Sequence, residues 1–267
     1  MTKRYLRGIL PIVAAGCLFC GAANADLIGF YTFNGNVLDS SGNGNNGTVN
    51  GTLSYSLTTP WGPSALTLDG SSRSNYVTVP IDSSISGQPT ETFGAWLYVP
   101  IGVSNNNIQG IISNDDGNYS RTIDLDTRNL NIDLEWSAFN GAGVVAGGAV
   151  VQGQWTFVAV SYDNSGGNNG SYIFQVGANQ FTGTTSFSPA SIAGTTYIGI
   201  NPSFDSEFQG GIADAFFYNA ALSASQLNQI EQNGPSDITG VPEPGSVSLL
   251  VLGLAGVGLL RRRRPRR

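Results

Sequence analysis

Apolar residues in this chain recur at every second position over short runs and almost never at helical spacing. The alternation holds over 27–33, 76–79, 92–99, 121–125, 129–134, 155–162, 171–176, 195–200 and 212–218. A period of two sends successive side chains to opposite faces of a pleated strand, so each run has one apolar face to bury. Gly, Asn, Ser and Thr fill the gaps, as in Ser41-Gly42-Asn43-Gly44-Asn45-Asn46-Gly47 and 164–170. Such residues tolerate the sharply turned backbone of strand reversals. One helix is expected, opening at Ser223 with Gln226 as its capping-box partner, placing Leu227 and Ile230 on one face and stopping at Gly234-Pro235. Many short strands with so little helix predict an all-β fold of two packed antiparallel sheets. A body of roughly 215 residues buries one substantial core, so a single domain is expected.

Both ends stand apart from that body. Lys3, Arg4 and Arg7 precede an apolar stretch over 9–19, and Ala23-Asn24-Ala25 offers a small-residue cleavage site before Asp26, the pattern of a secretory signal peptide. Cys17 and Cys20 lie inside the segment to be removed, so the exported chain is expected to carry no thiol, disulfide or cysteine-bound metal. At the other end an apolar run over 245–260 stops against Arg261, Arg262, Arg263, Arg264, Pro265, Arg266 and Arg267. As a helix that run reaches only ~24 Å of a ~30 Å hydrocarbon core, so the arginine stems must snorkel. An arginine block after an apolar helix fixes that end on the cytoplasmic side. Pro242-Glu243-Pro244, the Gly-rich run and the terminal arginines together resemble the PEP-CTERM sorting signal of Gram-negative bacteria. That resemblance implies processing by an exosortase, a transient stay in the inner membrane and delivery to the cell surface or extracellular matrix, a setting rich in exopolysaccharide. The expected organisation is a signal peptide at 1–25, a domain at 26–235, a linker at 236–240 and a sorting signal with a short membrane helix at 241–267.

Charge sharpens this division. Three of the twelve basic residues sit in the leader and six in the tail, leaving 26–244 with Arg73, Arg121 and Arg128 against all eighteen acids, a net of −15. Such a surface repels phosphate backbones and anionic lipid, which argues against nucleic-acid partners, and it suits divalent cations or plain solubility. The chain contains no His. Ser-His-Asp and Cys-His catalysis, imidazole-bound zinc and a histidine proton switch are therefore excluded.

Several segments resemble one family. The opening 30–44 with Asn46-Gly47-Thr48, then Ala65-Leu66-Thr67-Leu68-Asp69-Gly70 with 76–80, 92–98, 154–163 and the closing 210–223 are similar, in that order, to bacterial laminin-G-like domains of the concanavalin A type. The resemblance covers nearly all of 27–233 and implies an antiparallel jelly-roll sandwich. Many relatives carry His where this chain has Asn45 or Asn46. Laminarinase-like hydrolases of this type carry Glu-x-Asp-x-x-Glu on one strand, and no such string occurs here.

No catalytic residue is assigned. The nearest carboxylate clusters, Asp124-Leu125-Asp126 and Asp133-Leu134-Glu135, place i, i+2 pairs on one strand face ~7 Å apart. Alternation with Leu125 and Leu134 makes a solvated outer face the simpler expectation. Calcium is the expected cation, since it takes about six to eight oxygens from carboxylates and turned backbone. Asp39 with Asn43, joined by Asp69 or Asp214, would supply such a set; alternatively Asp39 bonds its own loop and Asp214 pairs within the sheet. The loop is no EF-hand, because Asn50 stands at the twelfth position. For a sugar platform the candidates are Trp61, Tyr119 and Trp136, while Trp96 and Trp155 follow the buried phase. Three functions stay open: glycan binding, a matrix scaffold without selective glycan affinity, and a carboxylate-dependent glycoside hydrolase.

Overall fold

A computed structural model describes residues 25–239 except 105, 116, 129–133, 189–193 and 203. The signal peptide and the sorting segment thus lie outside the described residues, as does most of the strand expected over 129–134. In chain order the described strands are β1 (Leu27–Tyr31), β2 (Thr48–Asn50), β3 (Leu66–Asp69), β4 (Tyr76–Val79), β5 (Thr90–Tyr98), β6 (Ile108–Asn114), β7 (Arg121–Asp126) and β8 (Glu135–Phe139). They continue with β9 (Val144–Ala149), β10 (Trp155–Asp163), β11 (Asn169–Val176), β12 (Asn179–Ser186), β13 (Thr196–Ile198), β14 (Ser206–Glu207) and β15 (Gln209–Tyr218). One helix, α1 (Ala224–Asn233), is followed by a 3-10 turn at Pro235–Asp237.

The strands form the expected two-sheet jelly-roll sandwich. The first sheet runs β1-β15-β5-β10-β11-β12, with β3 beside β15, and the second runs β2-β4-β13-β6-β7-β8-β9, with β14 beside β6. Every pairing is antiparallel except β14 on β6. Between the sheets Phe93 and Leu97 of β5, Val158 and Val160 of β10, Phe217 of β15, Ile123 and Leu125 of β7 and Trp136 of β8 fill one core. Across this core Arg121 of β7 pairs with Glu91 of β5 at 3.3 Å, both fully enclosed. Arg121 also donates to Gln88 O, Pro89 O and Asn164 Oδ1 and lies over the Tyr162 ring. This pair ties the two sheets together, each charge satisfying the other where water is absent.

The long strands of the first sheet are apolar on both faces because both are covered. The outward residues Trp96, Phe157, Ala159, Phe216 and Tyr218 meet Leu222, Leu227, Ile230 and Ile238 in a second cluster. Helix α1 forms as expected: Ser223 caps it, the capping box with Gln226 is complete, and Leu227 and Ile230 are its buried residues. The expected linker from Ser236 instead begins packed on the body, with Ile238 buried and its carbonyl accepting from the Tyr218 hydroxyl.

Strand β15 carries one extra residue. Ala213 faces Trp96 while Phe216 faces Gly94, so three steps on β15 match two on β5. The bulge absorbs Asp214, whose φ of 52° is left-handed. Without it the residues beyond would swap faces, exposing Ala215 and Phe217 of the core.

Candidate functional site

The bulge at Asp214 and the loop carrying Trp61 border one groove of about 450 Å³ on the outer face of the first sheet. Thr32 and Asn34 beyond β1, Asn233 at the end of α1, and Ser236 and Thr239 after it complete its polar lining. The Trp61 loop is a tight turn organised by Thr59, whose Oγ1 accepts from Trp61 N at 3.1 Å and Gly62 N at 2.6 Å. The indole sets its edge against Trp96, with ring centroids 6.4 Å apart at 67°. Its other contact is Gly234, where an added Cβ would stand 2.9 Å from the ring. Thus held between Trp96 and the helix end, Trp61 still leaves 50% of its surface exposed. Burial lifts the Asp214 carboxyl to about 7, with no charged neighbour contributing. A buried acid on a left-handed bulge, in a cleft beside a pinned aromatic, is the kind of strained and desolvated feature that gathers at functional sites.

The other expected site residues fall in different places. Asp39 is committed to its own loop: its carboxylate accepts from Phe30 N at 3.0 Å, Ser41 N at 2.8 Å, Ser41 Oγ at 2.9 Å and Asn45 N at 2.9 Å. Against the effect of partial burial, these donors hold its pKa below the ordinary value. Asn43 donates to Leu27 O and Ser41 Oγ, and Asn45 donates to Ile28 O. Asp69 makes an Asx turn with Ser71 and lines a separate cavity with Asn75 and Glu207. The four residues expected to share calcium are therefore spread over the first glycine loop, that cavity and the Trp61 groove. Among the described residues no group of three acids stands ready-made as a metal cage.

Two further expectations are corrected. Trp136 is 1% exposed and belongs to the core. It pairs across to Leu125, so the alternation of β8 points it inward, where it offers no face to a sugar. Tyr119 is exposed, with a left-handed backbone and its ring edge-on to Phe139. Asp124 and Asp126 do share one face of β7, but that face is buried beneath loops instead of solvated. Asp133 lies outside the described residues, and Glu135 is half-buried.

Asn34, Asn233, Ser236 and Thr32 were not singled out from the sequence, because turn-rich chains place such residues everywhere.

With fold and groove in view, the comparison with known proteins is direct. The chain belongs to the concanavalin A-like lectin/glucanases superfamily, whose family model matches residues 69–228. The PEP-CTERM protein-sorting motif matches 240–264, marking an exported protein with a C-terminal anchor. No curated protein matches the chain in sequence. Among solved structures, domain 4 of AbnA, a GH43 extracellular arabinanase from Geobacillus stearothermophilus in complex with arabinotriose, is 22% identical at a TM-score of 0.55, over 79% of this chain and all of that one. The receptor binding domain of botulinum neurotoxin C/D mosaic serotype is 14% identical at a TM-score of 0.55, over 78% of this chain and 51% of that one. The binding domain of Paraclostridial Mosquitocidal Protein 1 is 12% identical at a TM-score of 0.55, over 79% of this chain and 52% of that one. The chain spans about half the length of the toxin domains, and these likenesses are of fold.

Proposed function

We propose that this exported protein is a non-catalytic glycan-binding protein of the cell surface or extracellular matrix, and that its ligand lies in the Trp61 groove. The observation that carries this reading is the indole fixed between Trp96 and Gly234 yet half exposed over the groove. A rigid, half-exposed aromatic plane offers stacking to the apolar C–H face of a sugar ring at little entropic cost. Around it, Thr32, Asn34, Asn233 and Ser236 provide hydroxyl and amide groups, and Asp214 a strong acceptor for paired sugar hydroxyls. Among the described residues no Lys or Arg lines the groove, which favours a neutral glycan over uronic or sulfated polymers. A glycosidase requires two carboxyl groups facing each other across ~5–9.5 Å, whereas among the described residues Asp214 is the one carboxylate of this groove. The arabinotriose complex of AbnA domain 4 lends the reading support from a protein of the same fold. Exosortase is the processing partner that the sorting motif implies.

The test is a glycan array probed with the purified full-length chain and with Trp61→Ala. Saturable retention of neutral polysaccharide by the wild type, lost in the variant while the melting temperature stays within a few degrees, is the expected result. Equal retention by both proteins, or release of reducing ends by the wild type, would overturn the reading.

A further inference from the structure

A sheet edge carries unpaired N–H and C=O groups that invite another strand, so folded chains shorten, bend or charge such edges. Most edges of this sandwich follow that rule. Strand β2 is three residues long, β1 breaks register against β15 between Leu27 and Gly29, and β9 breaks register against β8 between Glu135 and Ser137. Strand β3 is bridged at Thr67 by Ser54 and ends in Asp69. Strand β12 has no such protection. It pairs with β11 residue for residue from Asn179 to Ser186 without a shift, and its eight residues include no Pro and no charge.

The end of β12 tells which of its backbone groups are free. Phe187 N donates to Asn168 O on the β11 side at 3.0 Å, whereas Ser186 N donates the other way, to Asn140 O in the turn after β8, at 2.8 Å. Backbone groups alternate in direction along a strand, so Gln180, Thr182 and Thr184 also direct their N–H and C=O away from β11. The turn after β8 covers only the Ser186 end of this row, with Asn140 Nδ2 reaching Thr184 O at 3.4 Å. Thr182 and Thr184 are exposed. Gln180 turns its side chain onto α1, donating to Ala224 O at 2.9 Å, so by alternation all three side chains stand on the outer face of the first sheet, clear of the edge itself.

Charge decides what approaches this edge. Between Glu135 and Asp205 the chain carries one charged residue, Asp163, which sits on β10, two strands in from the edge. Two copies of so acidic a domain repel one another across most approaches. The flank of β9, β11 and β12 is where they meet without opposed charge. We propose that β12 pairs with β12 of a second copy of this chain, antiparallel about a two-fold axis at Thr182, joining the two first sheets into one. Thr182 then faces its own counterpart and Gln180 faces Thr184 of the other copy, an isologous contact held by backbone hydrogen bonds and by Thr side chains side by side. The pairing keeps both outer faces on one side, so the two Trp61 grooves look the same way. It does not depend on what those grooves bind.

The experiment is sedimentation equilibrium of the full-length chain in detergent, up to ~300 μM, a range that captures the weak association expected of a small interface. The wild type should dimerise within it, and more tightly at ~300 mM than at ~20 mM NaCl, because salt screens the repulsion between acidic copies. Thr182→Lys and Thr182→Asp each set like charges opposite one another and should weaken the dimer at least about fivefold, with melting temperatures within a few degrees of the wild type. An equimolar mixture of the two should pair at least as tightly as the wild type, since Lys then faces Asp. Thr182→Pro removes an N–H that points away from β11, a change an edge strand tolerates, and should also abolish pairing. A wild type that stays monomeric at ~300 μM overturns the proposal, and so does a dimer weakened by salt. Association undiminished in Thr182→Lys and Thr182→Pro, or a mixture no tighter than its components, overturns it equally.

Discussion

Asp214→Asn should make this protein more stable at pH 8 and poorer at holding its ligand. Burial alone raises the Asp214 carboxyl from 3.8 to about 7, so near neutrality the folded chain carries a carboxylate that the unfolded chain ionises at little cost. A folded pKa above the unfolded one means that the group's contribution is full below about pH 4, declines as the pH rises, and is lost above about pH 7. Roughly three units at ~1.36 kcal/mol each set a ceiling of about 4 kcal/mol. Local polarisation and entering water reduce this to about 2 kcal/mol. Asparagine keeps the shape and accepts the left-handed φ of 52° at least as readily as aspartate. For a domain of this size ~2 kcal/mol corresponds to about 4–8 °C in melting temperature. The assay is a pair of thermal melts at pH 5 and pH 8, with glycan retention measured alongside. At pH 5 the gap should shrink, because folded Asp214 is then protonated to a larger extent. The amide is a weaker acceptor for sugar hydroxyls, so retention should fall while stability rises. A variant that melts lower than the wild type at pH 8, or a gap identical at the two pH values, would refute the reasoning.

Arg121→Met should cost about 3–5 kcal/mol in urea unfolding, because it leaves Glu91 enclosed without its partner. Replacing Glu91 with Leu as well should restore most of that loss, which a double-mutant cycle resolves. Ser223→Ala removes the cap of α1 and should cost about 1 kcal/mol in the same assay. Since α1 covers the outer face of the first sheet, its loss should also raise hydrogen exchange at Leu227 and Ile230.

The sequence made the helix legible to the residue, because a capping box and a Gly-Pro stop are local signals. Strands β5, β7, β10 and β15 were equally visible in their alternation. Strand β6 was not, because Ile108–Asn114 is buried along its whole length and so shows no two-sided pattern. Strands β8, β9 and β12 were also missed; β9 and β12 are rich in small or polar residues with little contrast between faces. The phase of β8 was the costlier error. Its register against β7 decides that Trp136 faces the core, and register is a long-range property that no single segment reports. Asp124 and Asp126 were placed on the correct face but in the wrong medium, because alternation cannot see loops that arrive from Asp115 and from Asn201. The groove divides the same way: Trp61 stood out between its prolines, whereas its company of Asp214, Asn34 and Asn233 exists only after folding.

The first and last described residues meet at one corner. Asp26 and Asn219 bond each other, and Ala25, Asp26, Ile238 and Thr239 border one recess. Thr239 also borders the Trp61 groove. The C-terminal anchor that the sorting motif marks therefore leaves the domain beside the Trp61 groove. On the proposed reading, a polymer held in that groove would lie next to the point from which the chain is tied.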